Sequence, residues 1–152
     1  IMGDVAPDFA VVGAAASSVF KTDLPGSDRN QTQSDHVKFT GRLSDEEIAA
    51  LYSHAAALVF PSLYEGFGIP PLEAMLLGCP VLSSNIEPAL EVCGDAALYF
   101  DPNDAHDIVR SITHLTGNPD LRAEMIARGH ARAAAFSWDR SALALVDAAA
   151  GL

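Results

Sequence analysis

The chain has 152 residues, about the length of one folded domain, and it is 49% hydrophobic and 19% charged with a mean hydropathy of +0.19. This composition is too apolar for a disordered chain, and its glycine and proline contents exclude a fibrous protein. Nine basic residues against twenty acidic ones give a net charge of −11, which disfavours general binding to nucleic acids or anionic membranes. No apolar run approaches the ~18 to 20 uncharged residues that a membrane-spanning helix needs.

Two features of the chain bear on its cellular setting. Cys79 and Cys93 lie in apolar runs and are too few for a disulfide scaffold, so we predict that both are reduced thiols in the core. The sequence starts at Ile1 and carries no targeting segment, from which we expect a cytoplasmic protein and a piece of a longer chain.

Short apolar runs alternate with helical patterns, which is typical of a parallel sheet flanked by helices. The predicted strands cover residues 8–13, 37–41, 57–60, 80–83 and 96–100. The polar stretch 17–35 is predicted to be a long loop. The pattern therefore predicts a three-layer α/β domain with a parallel sheet.

Helix starts can be predicted from capping residues. Ser44 to Glu47 form a capping box, followed by one apolar helical face that contains Ile48, Leu51, Tyr52 and Ala55. A second helix is predicted over residues 105–115, and Asn118-Pro119 should open a third. The last helix is predicted to run from Ser137 or Trp138 to Ala149.

The segment 61–74 joins the third strand to a helix, and ligands of open parallel sheets bind beyond the carboxyl ends of the strands. Gly66 and Gly68 allow close approach of the backbone to a ligand, while Pro70 and Pro71 lack amide protons. The free amides should therefore belong to residues 66–69 and to Leu72 and Glu73. A diphosphate would fit at such a helix N-terminus.

Two carboxylates flank this bend. Glu73 is expected in the first turn of the helix, where it could accept hydrogen bonds from both hydroxyls of a ribose, and Glu65 could accept from sugar hydroxyls on the other side of the phosphates. The alternative from the residues alone is that Glu65 closes a turn and Glu73 is an ordinary acidic residue of a helix.

Residues 36–102 closely resemble the donor-binding half of retaining family 4 glycosyltransferases of the GT-B class, which contain two Rossmann-like domains. The hallmark is a glutamate, seven residues and a second glutamate, here Glu65 and Glu73. Further matching segments are 37–45, 60–62, 70–75, 78–81 and 91–97.

The resemblance implies transfer of a hexose from a nucleoside-diphosphate sugar, with retention of anomeric configuration and without a metal or other cofactor. It also implies that Glu65 is the catalytic residue that binds hydroxyls of the donor sugar, and that Glu73 holds the ribose. The other donor-binding positions that it implies are Gly13, Gly41, Arg42, Leu43, Gly66, Phe67, Gly68 and Ile69. Ala14 stands where relatives often carry a second glycine.

Family members also have an acceptor-binding domain, and an arginine and a lysine that neutralise the diphosphate, before the strand at Asp8. Residues 1–152 would thus be a single nucleotide-sugar-binding domain with 137–150 as its closing helix, inactive alone and weak in donor binding. We do not assign the neutralisation of the diphosphate to any of the nearby cations, which are Lys21, Arg29, Lys38 and Arg42. The apolar stripe of the closing helix could support self-association.

The sequence does not identify the sugar or the base of the donor, but the similarity of residues 83–86 and 94–100 to bacterial mannosyltransferase sequences favours GDP-mannose. The acceptor would be a glycan or a lipid-linked sugar. Two other hypotheses are a non-catalytic nucleotide-sugar-binding module that acts with a separate acceptor subunit, and a sugar-nucleotide epimerase. The histidines do not have the spacing of a metal site. No serine lies in the G-x-S-x-G motif of a hydrolase. The Gly66-to-Gly68 pattern lacks the third glycine of a dinucleotide-binding dehydrogenase.

Overall fold

A computed structural model describes residues 8–13 and 36–151 of the chain. The predicted loop at 17–35 lies outside the described residues, as does Ala14. The chain divides into two compact units, Ile1–Ile48 and Ala49–Leu152. Each unit is described by itself.

The first unit contains a two-stranded parallel sheet. Strand β1 covers Phe9–Val12 and pairs with strand β2, Val37–Gly41. The pairing continues one residue beyond β1, where the Gly13 amide donates to the Gly41 carbonyl at 3.0 Å. Both strands form where their apolar, β-branched and aromatic residues predict them.

The second unit is built on a three-stranded parallel sheet in the order β3-β4-β5. Its strands are β3, Leu58–Phe60, β4, Val81–Ser84, and β5, Ala97–Phe100. All four residues of the central strand β4 are buried, as expected for a strand covered on both faces. The predicted α/β fold class with parallel sheets is confirmed.

Six α-helices are described, and the first begins in the first unit. They are α1 (Asp45–His54), α2 (Ile69–Leu76), α3 (Glu87–Cys93), α4 (Ala105–Thr116), α5 (Pro119–Ala133) and α6 (Trp138–Ala150). A single 3₁₀ turn, Gly94–Ala96, links α3 to β5. No helix in the described part of the chain is both long and apolar enough to cross a membrane.

The predicted helix starts are confirmed by their caps. The Ser44 amide donates to Glu47 at 2.8 Å and the Glu47 amide donates to the Ser44 hydroxyl at 3.3 Å, which is the reciprocal pair of a capping box. The side chains of Asn118 and Ser137 accept from backbone amides of α5 and α6. These bonds satisfy amides that have no partner inside the helix.

Helix α2 is held closely against α5. It ends at Leu76 and is closed by Gly78, which has φ +74°; the Gly78 and Cys79 amides donate to the Met75 and Ala74 carbonyls as in a Schellman motif. A Cβ placed at Gly129 of α5 would lie 3.1 Å from the Met75 side chain, so a larger residue there would force Met75 to shift by a few tenths of an ångström. The contact fixes the axis of α2, the helix that follows the candidate bend.

The two cysteines are free and buried, which confirms the predicted core thiols. Cys93 is 0% exposed, and burial raises its thiol pKa from 9.0 to about 11. Burial likewise raises the pKa of Tyr99 to about 12. The Tyr99 hydroxyl donates to the Gly94 carbonyl at 2.7 Å. At neutral pH all of these groups are held in their uncharged forms.

The last helix, α6, has no buried residue, and its large apolar side chains are exposed: Trp138, Leu143, Leu145 and Val146. The apolar stripe expected from the sequence is therefore present on α6. Self-association through this stripe stays a prediction.

These pKa values predict an alkaline loss of stability. A group whose folded pKa is raised stabilises the fold fully below its unfolded pKa, and the contribution disappears as pH rises through the folded value. The free energy of unfolding, measured by urea titration, should be constant from about pH 7 to 8.5 and fall as pH rises from about 9 toward 12. Above pH 9, the unfolding free energy should fall less steeply with pH in Cys93→Ala than in the wild type. It should fall as in the wild type in Tyr64→Phe, because Tyr64 is 89% exposed. An unfolding free energy that is flat to pH 11 would contradict this origin.

Candidate nucleotide-sugar site

The candidate bend, residues 61–68, connects the carboxyl end of β3 to the first residue of α2. Gly68 is the N-cap of α2 and has φ 98° and ψ 58°, a left-handed conformation that strongly favours glycine. Pro70 and Pro71 follow in the first turn of the helix. Glycine thus permits the sharp change of direction, and the prolines fix the helical φ immediately after it.

The helix leaves two amides of this turn without an intrahelical acceptor. In an α-helix that begins at Ile69, the amides of Leu72 and Glu73 donate to the carbonyls of Gly68 and Ile69, four residues earlier. The expectation that Leu72 and Glu73 have free amides is therefore wrong. Because prolines occupy the next two positions, Gly68 and Ile69 supply the N–H groups at the positive end of α2.

Glu65 is half-buried in the bend, and its Oε1 atom accepts a hydrogen bond from the Ser62 hydroxyl at 2.7 Å. The bond fixes one carboxylate oxygen across a three-residue turn. A carboxylate has about four acceptor positions, so this bond orients Glu65 without exhausting its capacity to bind hydroxyls. Both the turn-closing role and the ligand role are compatible with this geometry.

Glu73 is exposed on α2, between the half-buried Leu72 and the buried Ala74. It is the fifth residue of the helix and not part of the first turn, because α2 begins at Ile69, one residue before the prolines. The expectation that Glu73 lies in the first turn of the helix is therefore wrong. Its neighbour Tyr52 of α1 has a pKa raised to about 12, mainly by burial and next by the charge of Glu73.

Phe67 is the single side chain between the two glycines of the bend, and it packs against a residue far away in the sequence. Its ring lies 5.9 Å from the ring of Phe136, with an angle of 81° between the planes. The Arg132 guanidinium lies over the Phe136 ring at 4.9 Å. Sequence reasoning missed Phe136 and Arg132 because nothing in the local pattern links them to the bend, and it also missed Ser62 and Tyr52.

In the first unit the structure brings together Gly13 and Gly41, whose backbones are joined by the hydrogen bond at the end of the sheet. Both glycines have positive φ, 129° and 70°. The Gly13 amide is occupied by that bond, so it is not free to meet a phosphate in this conformation. Arg42 is exposed and Leu43 is half-buried. The roles predicted for these four residues stay predictions.

The cations of the second unit are engaged in contacts within the chain. Residues 49–152 contain five arginines and no lysine. Arg110 and Arg128 pair with acidic side chains, and the other three donate to backbone carbonyls: Arg122 to Ala55 and Ala56, Arg132 to Glu91 and Val92, and Arg140 to Ala135. A diphosphate at the bend would therefore depend on backbone amides for its stabilisation by this unit.

Comparison with known proteins gives related sequences that are named as glycosyltransferases, several of them mannosyltransferases. The chain is 40% identical over 117 residues to the O-antigen chain mannosyltransferase B of Escherichia coli, covering 77% of this chain and 31% of that protein. It is 44% identical over 86 residues to the O-antigen chain mannosyltransferase RfbU of Salmonella typhimurium, covering 57% of this chain and 24% of that protein. The chain thus spans less than a third of the length of these curated relatives.

Solved structures have the same fold. The sucrose-phosphate synthase of Thermosynechococcus elongatus matches 77% of this chain and 30% of its own, with 30% identity and a TM-score of 0.68. Anabaena HepE, solved in complex with UDP and glucose, matches 78% of this chain and 33% of its own, with 21% identity and a TM-score of 0.70. The second likeness shows the fold alone.

The family profile described as glycosyl transferases group 1 matches residues 11–132, which include the bend, both glutamates and all three strands of the second unit. On this match the chain belongs to the group 1 family of glycosyltransferases.

Proposed function

We propose that the chain is the donor-binding domain of a retaining family 4 glycosyltransferase that transfers mannose from GDP-mannose to a glycan or lipid-linked acceptor. The single observation that carries the proposal is the bend at Gly68, where two helix-terminal amides lie between an oriented carboxylate and an exposed one. The relatives named as mannosyltransferases support the choice of sugar.

In this proposal the diphosphate of the donor accepts hydrogen bonds from the Gly68 and Ile69 amides, and the N-terminal dipole of α2 favours its negative charge. The backbone of Gly66 and Phe67 lines the approach to the sugar. Glu65, oriented by Ser62, accepts from hydroxyls of the hexose. Glu73 accepts from the ribose hydroxyls, for which its exposure on α2 leaves room.

The chain would bind and orient the donor and would not by itself complete the transfer. A missing acceptor-binding domain is the proposed partner, and the small share of the curated relatives that this chain spans supports it. No metal has a role in the proposal, because amides and the dipole interact with the diphosphate directly. The leaving phosphate would take the acceptor proton, so neither glutamate is assigned a proton transfer.

Replacing Glu73 tests the ribose role and with it the proposed function. The Glu73→Gln variant should bind GDP at least about tenfold more weakly than the wild-type chain, since hydrogen bonds to a charged group contribute ~1.5 to 3 kcal/mol. Its affinity for inorganic pyrophosphate, which has no ribose, should not fall. Affinities would be measured by NMR titration, which resolves the weak binding expected of this acidic domain. UDP, ADP and dTDP would be tested as competitors of GDP, and each is expected to bind more weakly than GDP.

Glu91→Gln is the matched control, because it removes the same charge from an exposed helical position of the second unit. It should leave GDP affinity within about twofold. If wild type binds no nucleoside diphosphate, the donor-binding proposal is wrong. If Glu73→Gln weakens the binding of pyrophosphate and of GDP equally, or weakens the binding of neither, the ribose role is wrong.

Replacing Glu65 tests the contact with the sugar. Glu65→Gln should weaken binding of GDP-mannose about tenfold and change GDP affinity by less than about twofold, because only the hexose loses a charged acceptor. The readout is the ratio of the two dissociation constants in the variant against the same ratio in wild type. Equal ratios would mean that Glu65 only closes the turn with Ser62.

A further inference from the structure

The bend has few internal means of holding its shape. Between Glu65 and Ile69 the residues are Gly66, Phe67 and Gly68, so Phe67 carries the only side chain that can anchor this stretch to the rest of the unit. Two flanking glycines give the backbone more conformational freedom than any other residue pair would. The geometry of the amides therefore depends on what Phe67 contacts.

Phe67 contacts Phe136, which lies just beyond the end of α5. The rings are 5.9 Å apart at 81°, the edge-to-face arrangement that aromatic quadrupoles favour. The Phe136 amide donates to the Ala133 carbonyl at 3.0 Å, which ties this residue to the last turn of α5. Phe136 is half-buried and Phe67 is 47% exposed, so the ring pair lies at the surface of the unit.

Arg132, in the last turn of α5, contacts both Phe136 and a third element, α3. Its guanidinium lies 4.9 Å from the centre of the Phe136 ring, a cation–π distance. The same guanidinium donates to the Val92 carbonyl at 2.8 Å and to the Glu91 carbonyl at 2.5 Å. These carbonyls belong to the last turn of α3, where the helix leaves acceptors unpaired. Arg132 therefore connects the end of α3 to Phe136, and Phe136 connects to the bend.

We propose that Phe136, held in place by Arg132, is a positioning residue that keeps residues 66–69 in the conformation in which the Gly68 and Ile69 amides bind the donor. The proposal rests on the proposed function for the identity of the ligand. The ordering of the bend by Phe136 can be measured without any ligand. Phe136 acts through Phe67 and touches no reacting atom.

The test compares four 15N-labelled versions of the chain: the wild type, Phe136→Leu, Phe136→Tyr and Trp138→Ala. The tyrosine variant keeps the aromatic ring. Trp138 is a nearby aromatic residue that is 84% exposed and serves as the control. Backbone order parameters of residues 66–69 are measured without ligand, and dissociation constants for GDP are measured at a temperature where amide spectra show every variant folded.

In Phe136→Leu the order parameters of residues 66–69 should fall from about 0.85 toward 0.6, and the GDP dissociation constant should rise about two- to tenfold. The tyrosine variant should restore both values, and Trp138→Ala should match wild type. A purely structural role would lower thermal stability without changing either quantity in the folded protein.

The outcomes separate the two proposals. If wild type binds GDP and Phe136→Leu binds it equally well, the positioning role is overturned and the donor-binding function stands. If wild type binds no GDP, the donor-binding function fails, and the order parameters alone decide the positioning role, with unchanged values in Phe136→Leu overturning it.

Discussion

The left-handed conformation of Gly68, followed at once by two prolines, is the constraint on which the candidate site depends. Glycine allows the chain to turn into α2 at the carboxyl end of β3, and the prolines then remove the donors at the next two positions. What remains at the helix N-terminus is one pair of adjacent amides, Gly68 and Ile69. The site is thus determined as much by missing N–H groups as by those present.

Contacts with distant parts of the unit surround this arrangement. Ser62 orients Glu65 from within the bend, and the close contact of Gly129 with Met75 fixes α2 against α5. Phe136 and Arg132 link the bend to the ends of α5 and α3. Because the arginines of this unit are engaged within the chain, a diphosphate at the bend would rely on the positive end of α2. This explains how a domain that belongs to a strongly acidic chain could still bind a diphosphate.

Much of the fold could be predicted from the sequence, because its signals are local. Strands appeared as short apolar runs, and helix starts appeared as the capping residues Ser44, Asn118 and Ser137. The Gly66-to-Pro71 pattern likewise predicted a bend before a helix. The error in the free amides came from the helix boundary: beginning α2 at Ile69 brings the Leu72 and Glu73 amides into helical hydrogen bonds.

The remaining features could not be predicted because they join residues distant in sequence. Phe67 and Phe136 are neighbours only because α5 packs on α2, and no periodicity in either segment indicates that contact. The most direct measurement is a crystal structure of the chain bound to GDP. Diphosphate oxygens should lie within ~2.7 to 3.2 Å of the Gly68 and Ile69 amides, with Glu73 on the ribose. A nucleotide bound at another surface of the second unit, with those two amides facing solvent, would contradict it.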